Sequence, residues 1–418
     1  MLGKLRLRFI DAIRGTRMMS ALEELKQQQY LPEAELEKIR QRKTAVLFQK
    51  AHDHTTYYRQ FNSWEEVPVL TKDIIRANTP GLISAAYKGK LMAKRTGGST
   101  GTPLVYYTTR ECQTYLWAGI ILSWECAGYQ HGDPVAFIAG TSLIKTGIAY
   151  KIFYRLFNIQ VYPASPMNEA TLSGYAEKIR KRKTTIIYGY ANVINELANY
   201  IKTKPKGYFP HLRGIVCTAE VLKDNVRKNI EAAFGIKVYN QYGCHESGTS
   251  AFECEKGSMH LISSKIIYEF DKDENLICTD LANEGFIMLK YFTGDIIKLS
   301  DTACSCKRTF PVIREVVGRT SDIVVDKFKN RLHSSFFYFL FKNEPSAKKY
   351  QTSFDENSII INVETDRSKP DEYYEQFLEP LQNLLKFDHY RIVVNQPFVV
   401  NKNGKHQQTI DNRGAHSA

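Results

Sequence analysis

The sequence predicts an α/β fold in which a large N-terminal domain, with mixed or parallel sheets and a β-rich subregion, precedes a small α+β C-terminal domain. The chain has 418 residues, and about 100–200 residues per domain favours two or three domains. From about residue 91, short apolar strands alternate with helical patterns, which is typical of a largely parallel sheet. Beyond Lys256 the pattern changes to short β segments, and the last 90 or so residues carry a strand, a helix and a strand.

The first 60 residues are predicted to be helical, because apolar side chains recur there at roughly helical spacing. A second helix is predicted at Glu33–His52. Basic residues separate the apolar ones of the first helix, and this leaves two interpretations open. Residues 4–17 either contact an anionic membrane surface weakly, or form a helix that docks on the protein with its charged face in solvent. The recurring apolar residues are Leu2, Leu5, Phe9, Ile13 and Met18.

The elements that follow define three regions: a helical segment over 1–60, a large domain over 61–322 and a small domain over 323–418. The alternating region has predicted strands at Pro134–Ile138, Thr185–Tyr188 and Arg213–Cys217, and helices at Glu111–Tyr129, Leu172–Arg182, Ala191–Lys202 and Lys223–Phe234. The β-rich subregion has predicted strands at His260–Phe270, Leu276–Thr279, Phe286–Tyr291 and Ile296–Leu299. The small domain has predicted strands at Ser358–Val363 and Tyr390–Val394 around a helix at Pro370–Leu385.

Composition excludes several classes of protein. Hydrophobic residues make up 43% and charged residues 24% of the chain, so a disordered chain is not indicated. Eight cysteines in 418 residues are too few for a disulfide scaffold, and neither a signal peptide nor a transmembrane run is predicted. We therefore expect a cytoplasmic protein. The charge of +13 (57 basic minus 44 acidic residues) predicts an anionic partner: nucleic acid, a membrane surface or a phosphorylated small molecule.

The most distinctive stretch is Arg95–Pro103, RTGGSTGTP. Its glycines leave backbone amides uncovered, so that they can surround an anion, and its hydroxyls add donors. It lacks the GxxxxGK[ST] spacing of a P-loop. Two carboxylates follow at turns: Glu246, a hard oxygen ligand suited to Mg²⁺, and Asp295, which can accept hydrogen bonds from vicinal ribose hydroxyls.

Four stretches in this order, TGGSTGTP (96–103), YGCHE (242–246), YFTGD (291–295) and GRTSD (318–322), resemble the adenylate-forming superfamily of acyl-CoA synthetases, adenylation domains and luciferases. Within it, the chain is most similar to the phenylacetate–CoA ligase and CapK-like capsule-biosynthesis branch. The resemblance covers about residues 60–415. It implies ATP and Mg²⁺ as cofactors, a mobile C-terminal domain, and two half-reactions: a carboxylate forms acyl-AMP and pyrophosphate, and a second nucleophile, often CoA, then displaces AMP.

The resemblance also implies roles for individual residues. Tyr242 would stack on adenine, Glu246 would bind Mg²⁺, Asp295 would bind the ribose, Arg319 would lie near the ribose or phosphates, and Asp322 would be the hinge. The phosphate loop would be Thr96, Gly97, Gly98, Ser99, Thr100 and Gly101; further cofactor contacts would be Ala219, Glu220 and Gly243; and the acyl group would meet Tyr190, Ala191 and Asn192.

The remaining catalytic candidates are Lys405 and His245. Families of this kind supply a lysine from the C-terminal domain to the α-phosphate, and Lys405 stands in the expected Gly-Lys pair; the alternative is a solvated hairpin lysine, because Lys402 is close. His245 replaces the usual threonine before Glu246, either as part of the pocket wall or as a contact of the acyl carboxylate. Leu104 stands where most of the superfamily has a lysine.

Four residues predict a structural zinc site: Cys254, His260, Cys304 and Cys306. Three thiolates and an imidazole suit tetrahedral Zn²⁺ and leave no open position for catalysis, and some members of the branch carry a similar set. The alternative is a group of unrelated buried thiols.

The function that the resemblance implies is ATP-dependent adenylation of a carboxylic acid, with transfer of the acyl group to CoA, an amine or a sugar. The resemblance to CapK also points to surface-polysaccharide assembly. Two alternatives stay open: transfer of AMP to a hydroxyl, as on a deazaflavin coenzyme, and a basic zinc-containing nucleic-acid binder, whose ligand spacing does not match a zinc finger. An aromatic set, Trp117, Trp124, Phe137 and Tyr190, would suit an aryl acid if it lined a pocket instead of the core.

Overall fold

A computed structural model describes residues 2–95, 104–140, 143–164, 167–319, 323–333, 335–341, 344, 346–400 and 407–413. The described residues fall into two compact units. The larger unit holds most of the chain as far as Val316, and the smaller holds the chain from Val317 together with the short segment Gly294–Ile296. The domain boundaries given above remain a prediction, and Asp322 lies outside the described residues.

The α-helices of the described ranges are α1 (Leu2–Arg14), α2 (Met18–Gln28), α3 (Glu33–His54), α4 (Lys72–Asn78), α5 (Arg110–Cys126), α6 (Ile148–Leu156), α7 (Glu169–Lys181), α8 (Ala191–Ile201), α9 (Asp224–Phe234), α10 (Ser335–Phe341) and α11 (Glu379–Leu384). Short 3₁₀ helices lie at Tyr58–Gln60, Thr79–Leu82 and Asp371–Leu378. Among these residues, no helix combines the length and the apolar character needed to cross a bilayer.

The strands of the same ranges are β1 (Met92–Arg95), β2 (Val105–Thr108), β3 (Val135–Ala139), β4 (Ile159–Pro163), β5 (Ile186–Tyr190), β6 (Gly214–Thr218), β7 (Val238–Cys244), β8 (Thr249–Glu253), β9 (Met259–Leu261), β10 (Ile266–Phe270), β11 (Asn275–Asp280), β12 (Tyr291–Leu299), β13 (Val312–Arg319), β14 (Ile323–Val325), β15 (Arg331–His333), β16 (Ala347–Phe354), β17 (Ser358–Thr365), β18 (His389–Val394) and β19 (Thr409–Asp411).

One large mixed sheet organises the larger unit. In the described chain its strand order is β10-β11-β12-β13-β9-β8-β7-β6-β5-β3-β4. Strands β3 to β7 pair in parallel, and β5 and β6 are buried along their whole length, as expected for parallel strands covered on both faces. From β7 onward the described pairings β7–β8, β8–β9, β13–β9 and β10–β11 are antiparallel, which is the predicted β-rich subregion.

The N-terminal helices pack into the core of the larger unit. Leu22 and Leu25 of α2 are fully buried and share one hydrophobic cluster with Trp124 of α5. Asp11, at the end of α1, accepts hydrogen bonds from the backbone N–H groups of Met18 (2.8 Å) and Met19 (2.9 Å). These contacts satisfy free amides at the start of α2, so α1 and α2 are held in a fixed relation.

The smaller unit has its own core. Strand β17 pairs antiparallel with β16 and in parallel with β18, while β19 pairs in parallel with β16. Ile359, Ile361 and Val363 of β17 are fully buried and pack against Tyr374. This is the strand–helix–strand unit that the sequence predicts.

Three predicted elements are wrong in detail. Phe286–Tyr291 is not a strand: it makes isolated bridges at its two ends, and the positive φ of Lys290 (52°) interrupts the extended chain. The predicted strand His260–Phe270 is two strands, β9 and β10. The predicted helix Pro370–Leu385 is a 3₁₀ helix followed by α11, because Pro380 lies in the first turn of α11 and has no N–H for a continuous helix.

Candidate active site

Parallel strands β5, β6 and β7 end at the same edge of the sheet, and predicted site residues follow each of them. Ala219, after β6, has φ +65°, a conformation that is uncommon outside glycine. It turns the chain so that the carboxylate of Glu220 accepts a hydrogen bond from the backbone N–H of Asn192 (3.0 Å) at the start of α8. The structure therefore brings together Ala219, Glu220 and Asn192, at the kind of strand edge where α/β sheets bind ligands.

Tyr190 and Ala191 lie at the same edge but are almost fully buried, with 2% and 1% of their surface exposed. The aromatic set proposed for an aryl acid is largely core. Trp124 is fully buried, and its ring lies 5.2 Å from the ring of Tyr188, which in turn contacts Phe137 at 5.0 Å. These rings explain the packing of α5 on the sheet and give no specific support to an aryl substrate.

The turn after β7 carries His245 and Glu246 and is supported from behind. Lys265 is almost fully buried and donates from Nζ to the carbonyl of Gly248 at 2.9 Å. Gly248 has φ +63°, and a Cβ at this position would lie 2.5 Å from Oδ2 of Asp280. The Sγ of Cys244 donates to Oε2 of Glu246 at 3.4 Å. Glycine is therefore required at 248, and the Glu246 carboxylate is held at a defined position.

The β1–β2 hairpin reaches this turn. Its strands pair antiparallel, with Arg95 opposite Val105, so the Gly/Ser/Thr loop connects the two ends of a described hairpin; the loop residues 96–103 themselves lie outside the described residues. Tyr106 on β2 is buried, which raises its pKa, and the charge of Glu246 raises it further. The base of the predicted phosphate loop is thus close to the predicted magnesium ligand.

Two lysines that the sequence analysis did not select lie near His245. The side chain of His245 is solvent-exposed, but the surrounding protein lowers its pKa by desolvation, and the cations of Lys94 and Lys145 lower it further, against the opposing effect of Glu246. Desolvation also lowers the pKa of both lysines. Lys94 lies on β1, and Lys145 follows β3, whose end lies at the same sheet edge. The position of Lys145 after a parallel strand was the feature of the sequence that could have identified it as a site residue.

Tyr242 and Gln241 lie on β7 with different surroundings. Tyr242 is partly exposed, and its ring packs against the cluster of the β-rich subregion, so an aromatic surface is available beside the turn. Gln241 is buried and its Oε1 accepts a hydrogen bond from the hydroxyl of Tyr188 at 2.8 Å. This bond joins β7 to β5 below the site.

The remaining predicted residues lie in or near the smaller unit. Asp295 does not lie at a turn, as the sequence analysis expected: it lies within β12 and is 5% exposed, because Gly294, with φ +75°, sits inside the strand instead of ending it. Arg319 is the last residue of β13. Asp322 and Lys405 lie outside the described residues.

The four predicted zinc ligands come together. Their ligand atoms all lie within 4.8 Å of one another. The Sγ atoms of Cys254 and Cys304 are 3.7 Å apart, and Sγ of Cys306 lies 3.2 Å from Nε2 of His260. Tetrahedral zinc with bonds of about 2.3 Å to sulfur and 2.0 Å to nitrogen requires about 3.8 Å and 3.5 Å for these separations, so the donor set fits the ion.

The surroundings of this cluster also suit a metal. Nδ1 of His260 lies 3.0 Å from the carbonyl of Phe310, which favours a proton on Nδ1 and leaves Nε2 free to bind. Burial opposes ionisation of Cys304, but hydrogen bonds from the hydroxyl of Ser258 and the backbone N–H of Cys306, together with the neighbouring His260 and Cys306 side chains, lower its pKa to about 6. A thiolate is the form that binds zinc.

Sequence comparison identifies two curated relatives, while no protein-family profile matches the chain. Protein CapK of Staphylococcus aureus is 25% identical over 323 residues, which are 73% of this chain and 70% of CapK. Phenylacetate-coenzyme A ligase of Thermus thermophilus is 23% identical over 330 residues, which are 71% of this chain and 73% of the ligase.

Structure comparison confirms the predicted fold class. A crystal structure of 2-hydroxyisobutyryl-CoA ligase in the postadenylation state, in complex with R3-HIB-AMP, superposes with a TM-score of 0.72 and 16% identity over 93% of this chain and 92% of that one. ATP-bound MatB from Rhodopseudomonas palustris superposes with a TM-score of 0.53 and 14% identity over 75% of this chain and 66% of MatB. Together with the two relatives and the four motifs, these likenesses support the predicted resemblance to the adenylate-forming superfamily, in its CapK and phenylacetate–CoA ligase branch.

Proposed function

We propose that this protein adenylates a carboxylic acid with ATP and then transfers the acyl group to an acceptor. The observation that carries the proposal is the convergence of the β1–β2 hairpin on the turn that holds Glu246, beside the edge where Ala219, Glu220 and Asn192 meet. A phosphate-binding loop, an acidic metal ligand and a substrate-binding edge at the ends of parallel strands are what the first half-reaction requires. In that step a carboxylate oxygen attacks the α-phosphorus, and pyrophosphate leaves as the bond to the bridging oxygen breaks.

Residues of the larger unit would bind the metal, the phosphates and the adenine of ATP. Glu246 would hold Mg²⁺, which neutralises phosphate charge when bound, and one carboxylate with substrate phosphates is a usual way to bind this ion. Lys94 and Lys145 surround the turn with positive charge and would attract the triphosphate. Tyr242 would offer its exposed ring to adenine. Stabilisation of charge that grows on transferring phosphoryl groups is a major source of rate acceleration.

Four further residues are assigned by their place in the motifs. We propose Asp295 as the ribose ligand, Arg319 as a contact of the ribose or phosphates, Asp322 as the hinge and Lys405 as the cation that meets the α-phosphate. The role of Asp295 is supported by its carboxylate and by its position in β12 directly after Gly294, whose positive φ interrupts the regular strand. His245 would contact the acyl carboxylate or form the wall beside it, and the two lysines near it favour an anionic neighbour.

In the second half-reaction a thiol, amine or hydroxyl of the acceptor attacks the acyl carbonyl, and AMP leaves. CoA is supported as the acceptor by the phenylacetate-coenzyme A ligase relative. By the resemblance to the CapK-like capsule-biosynthesis branch, we also propose surface-polysaccharide assembly as the setting, in which the acceptor would be an amine or a sugar. We also propose that Cys254, His260, Cys304 and Cys306 hold a structural zinc ion, on the strength of their geometry.

The test is ATP–pyrophosphate exchange with a panel of carboxylic acids, followed by CoA and amine acceptors for each acid that supports exchange. We expect exchange with at least one acid, and a loss of about 10²-fold or more in kcat for Glu246→Gln. The matched control is Glu284→Gln, since Glu284 forms an exposed ion pair with Lys50. Lys405→Ala should abolish exchange, while its neighbour Lys402→Ala should not. If no carboxylate supports exchange and AMP is transferred to a hydroxyl compound, the proposal is wrong.

A further inference from the structure

Helix α1 packs on the protein through a different face from the one its apolar spacing suggests. Leu7 and Ile10 are 1% exposed and belong to the core. Leu5, Phe9 and Ile13 face away from it, with 56%, 57% and 59% of their surface exposed. At about 100° per residue these three occupy an arc of roughly 80° on the helix opposite the buried side. A continuous apolar stripe is therefore open to solvent.

Helix α6 lies beside α1 and extends this apolar surface. Nη2 of Arg6 donates to the carbonyl of Arg155 at 3.2 Å, and the guanidinium of Arg14 lies 4.5 Å from the ring centre of Phe153. Phe153 and Tyr154 turn inward, whereas Ile148 and Ile152, one helical turn apart, are 79% and 53% exposed. Both helices thus present large aliphatic or aromatic side chains outward.

Cations accompany the apolar surface, and free acids do not. The exposed cations of the two helices are Lys4, Arg6, Arg8, Lys151 and Arg155. Asp11 is the acidic residue in these two segments. Its oxygens already accept from the hydroxyl of Thr16 and the backbone of Met18 and Met19, and it is 8% exposed.

We propose that the α1–α6 face, defined by Leu5, Phe9, Ile13, Ile148 and Ile152, docks on the surface of an anionic bilayer. A helix with an apolar stripe flanked by lysine and arginine lies in the interface plane of membranes, and basic residues near an anionic surface add attraction. A second copy of the chain is a poorer occupant, because a symmetric interface would place the same uncompensated cations against each other. Docking is peripheral, since the stripe is one helix face and not a spanning segment.

The test uses the full-length protein and sedimentation with two kinds of vesicle, phosphatidylcholine alone and phosphatidylcholine with about 30% phosphatidylglycerol. We expect binding to the anionic vesicles that weakens as salt rises from about 0.1 to 0.5 M. The double variant Phe9→Gln, Ile13→Gln should weaken binding at least about tenfold, and Lys4→Gln with Arg8→Gln should weaken it mainly at low salt. The matched control is Phe328→Gln, because Phe328 is 66% exposed and lies in the smaller unit; it should bind as the wild type does.

Thermal unfolding tests whether each variant is folded, and size-exclusion chromatography with light scattering measures its oligomeric state. Glutamine is a good helix former, so the Phe9/Ile13 variant should unfold at the wild-type temperature. Absence of binding to anionic vesicles, or equal binding by this variant and the wild type, overturns the proposal. So does a wild-type dimer that the same substitutions convert to a monomer without any vesicle binding, since the face would then be a protein interface.

Discussion

Replacement of one ligand in the cysteine–histidine cluster gives the sharpest test of the structure. In Cys306→Ser the hydroxyl takes the place of the sulfur that lies 3.2 Å from Nε2 of His260. Zinc binds four-ligand sites in small peptides with about 10–16 kcal/mol, or about 2.5–4 kcal/mol for each ligand if shared evenly. At about 1.4 kcal/mol per tenfold, the Kd for zinc should rise by roughly 60- to 700-fold.

The assay is elemental analysis of protein purified without added zinc, followed by competition with a chromophoric chelator. We expect about one zinc per chain in the wild type, and transfer of zinc to the chelator at a far lower chelator concentration for Cys306→Ser. Cys126→Ser is the matched control. Cys126 accepts from Nη2 of Arg308 at 3.8 Å and does not belong to the cluster, so its substitution should leave zinc affinity unchanged.

The cluster is joined to the N-terminal helices, which predicts the consequence of metal loss. Arg308 donates from Nε to Oε1 of Gln29 at 2.8 Å and pairs with Glu255, while the backbone of Thr309 donates to the carbonyl of Gln29. Removal of the metal by a chelator should therefore lower the Tm of the larger unit, and this should occur at chelator concentrations that leave the KM for ATP unchanged. A wild type that carries no zinc, or equal chelator titrations for Cys306→Ser and the wild type, would refute the reasoning.

Three other predictions concern the supports of the site. Gly248→Ala forces a Cβ to 2.5 Å from Asp280 at φ +63°; a strain of roughly 1–3 kcal/mol should lower Tm and pyrophosphate exchange together, and exchange at the wild-type rate would contradict it. Arg227→Met removes the guanidinium that donates to both carboxylate oxygens of Glu253, which is 5% exposed, and keeps the hydrogen bond from the backbone N–H of Asn240. This should cost about 3–5 kcal/mol in denaturant unfolding, against at most about 1 kcal/mol for Arg180→Met in an exposed pair. Burial lowers the pKa of Lys223 from its usual 10.5 to about 8, so the unfolded chain binds more protons between these pH values and the stability of the wild type rises there with pH. Lys223→Met should therefore be more stable than the wild type at pH 7 in thermal unfolding, with a difference that shrinks above pH 8. A difference that stays constant with pH would contradict this.

The parallel part of the fold was predictable because its elements carry local signals. A parallel strand buried on both faces reads as a continuous apolar run, and β3, β5 and β6 do so. Glu246 was placed correctly in a turn after a strand, although β7 continues as far as Cys244 and includes Tyr242. Asp295 was misplaced because Gly294 resembles a turn glycine in the sequence, and only the pairing of β12 with its neighbours shows that the strand continues through it.

Two basic residues near His245, Lys94 and Lys145, are a part of the site that the sequence could not identify. Lysines are common on every surface, so Lys94 and Lys145 carry no signal by themselves, and their meeting depends on the hairpin β1–β2 lying near the end of β3. The N-terminal helix shows the same limit. Its apolar residues form two stripes, and the spacing alone does not tell that Leu7 and Ile10 are the buried pair while Phe9 is exposed.

The two proposals assign parts of the net charge of +13 to two anionic partners that impose different physical requirements. A triphosphate needs few cations that are partly desolvated, because a low local dielectric strengthens each interaction. Lys94 and Lys145 are half-buried, and this desolvation lowers the pKa of both. A membrane surface needs several cations that stay in water beside apolar side chains, as on α1 and α6. Since screening by salt acts strongly on exposed charges and weakly on buried ones, raising the salt concentration should release the protein from anionic vesicles at concentrations where pyrophosphate exchange continues. If both activities fell together, the two sets of cations would not be acting separately.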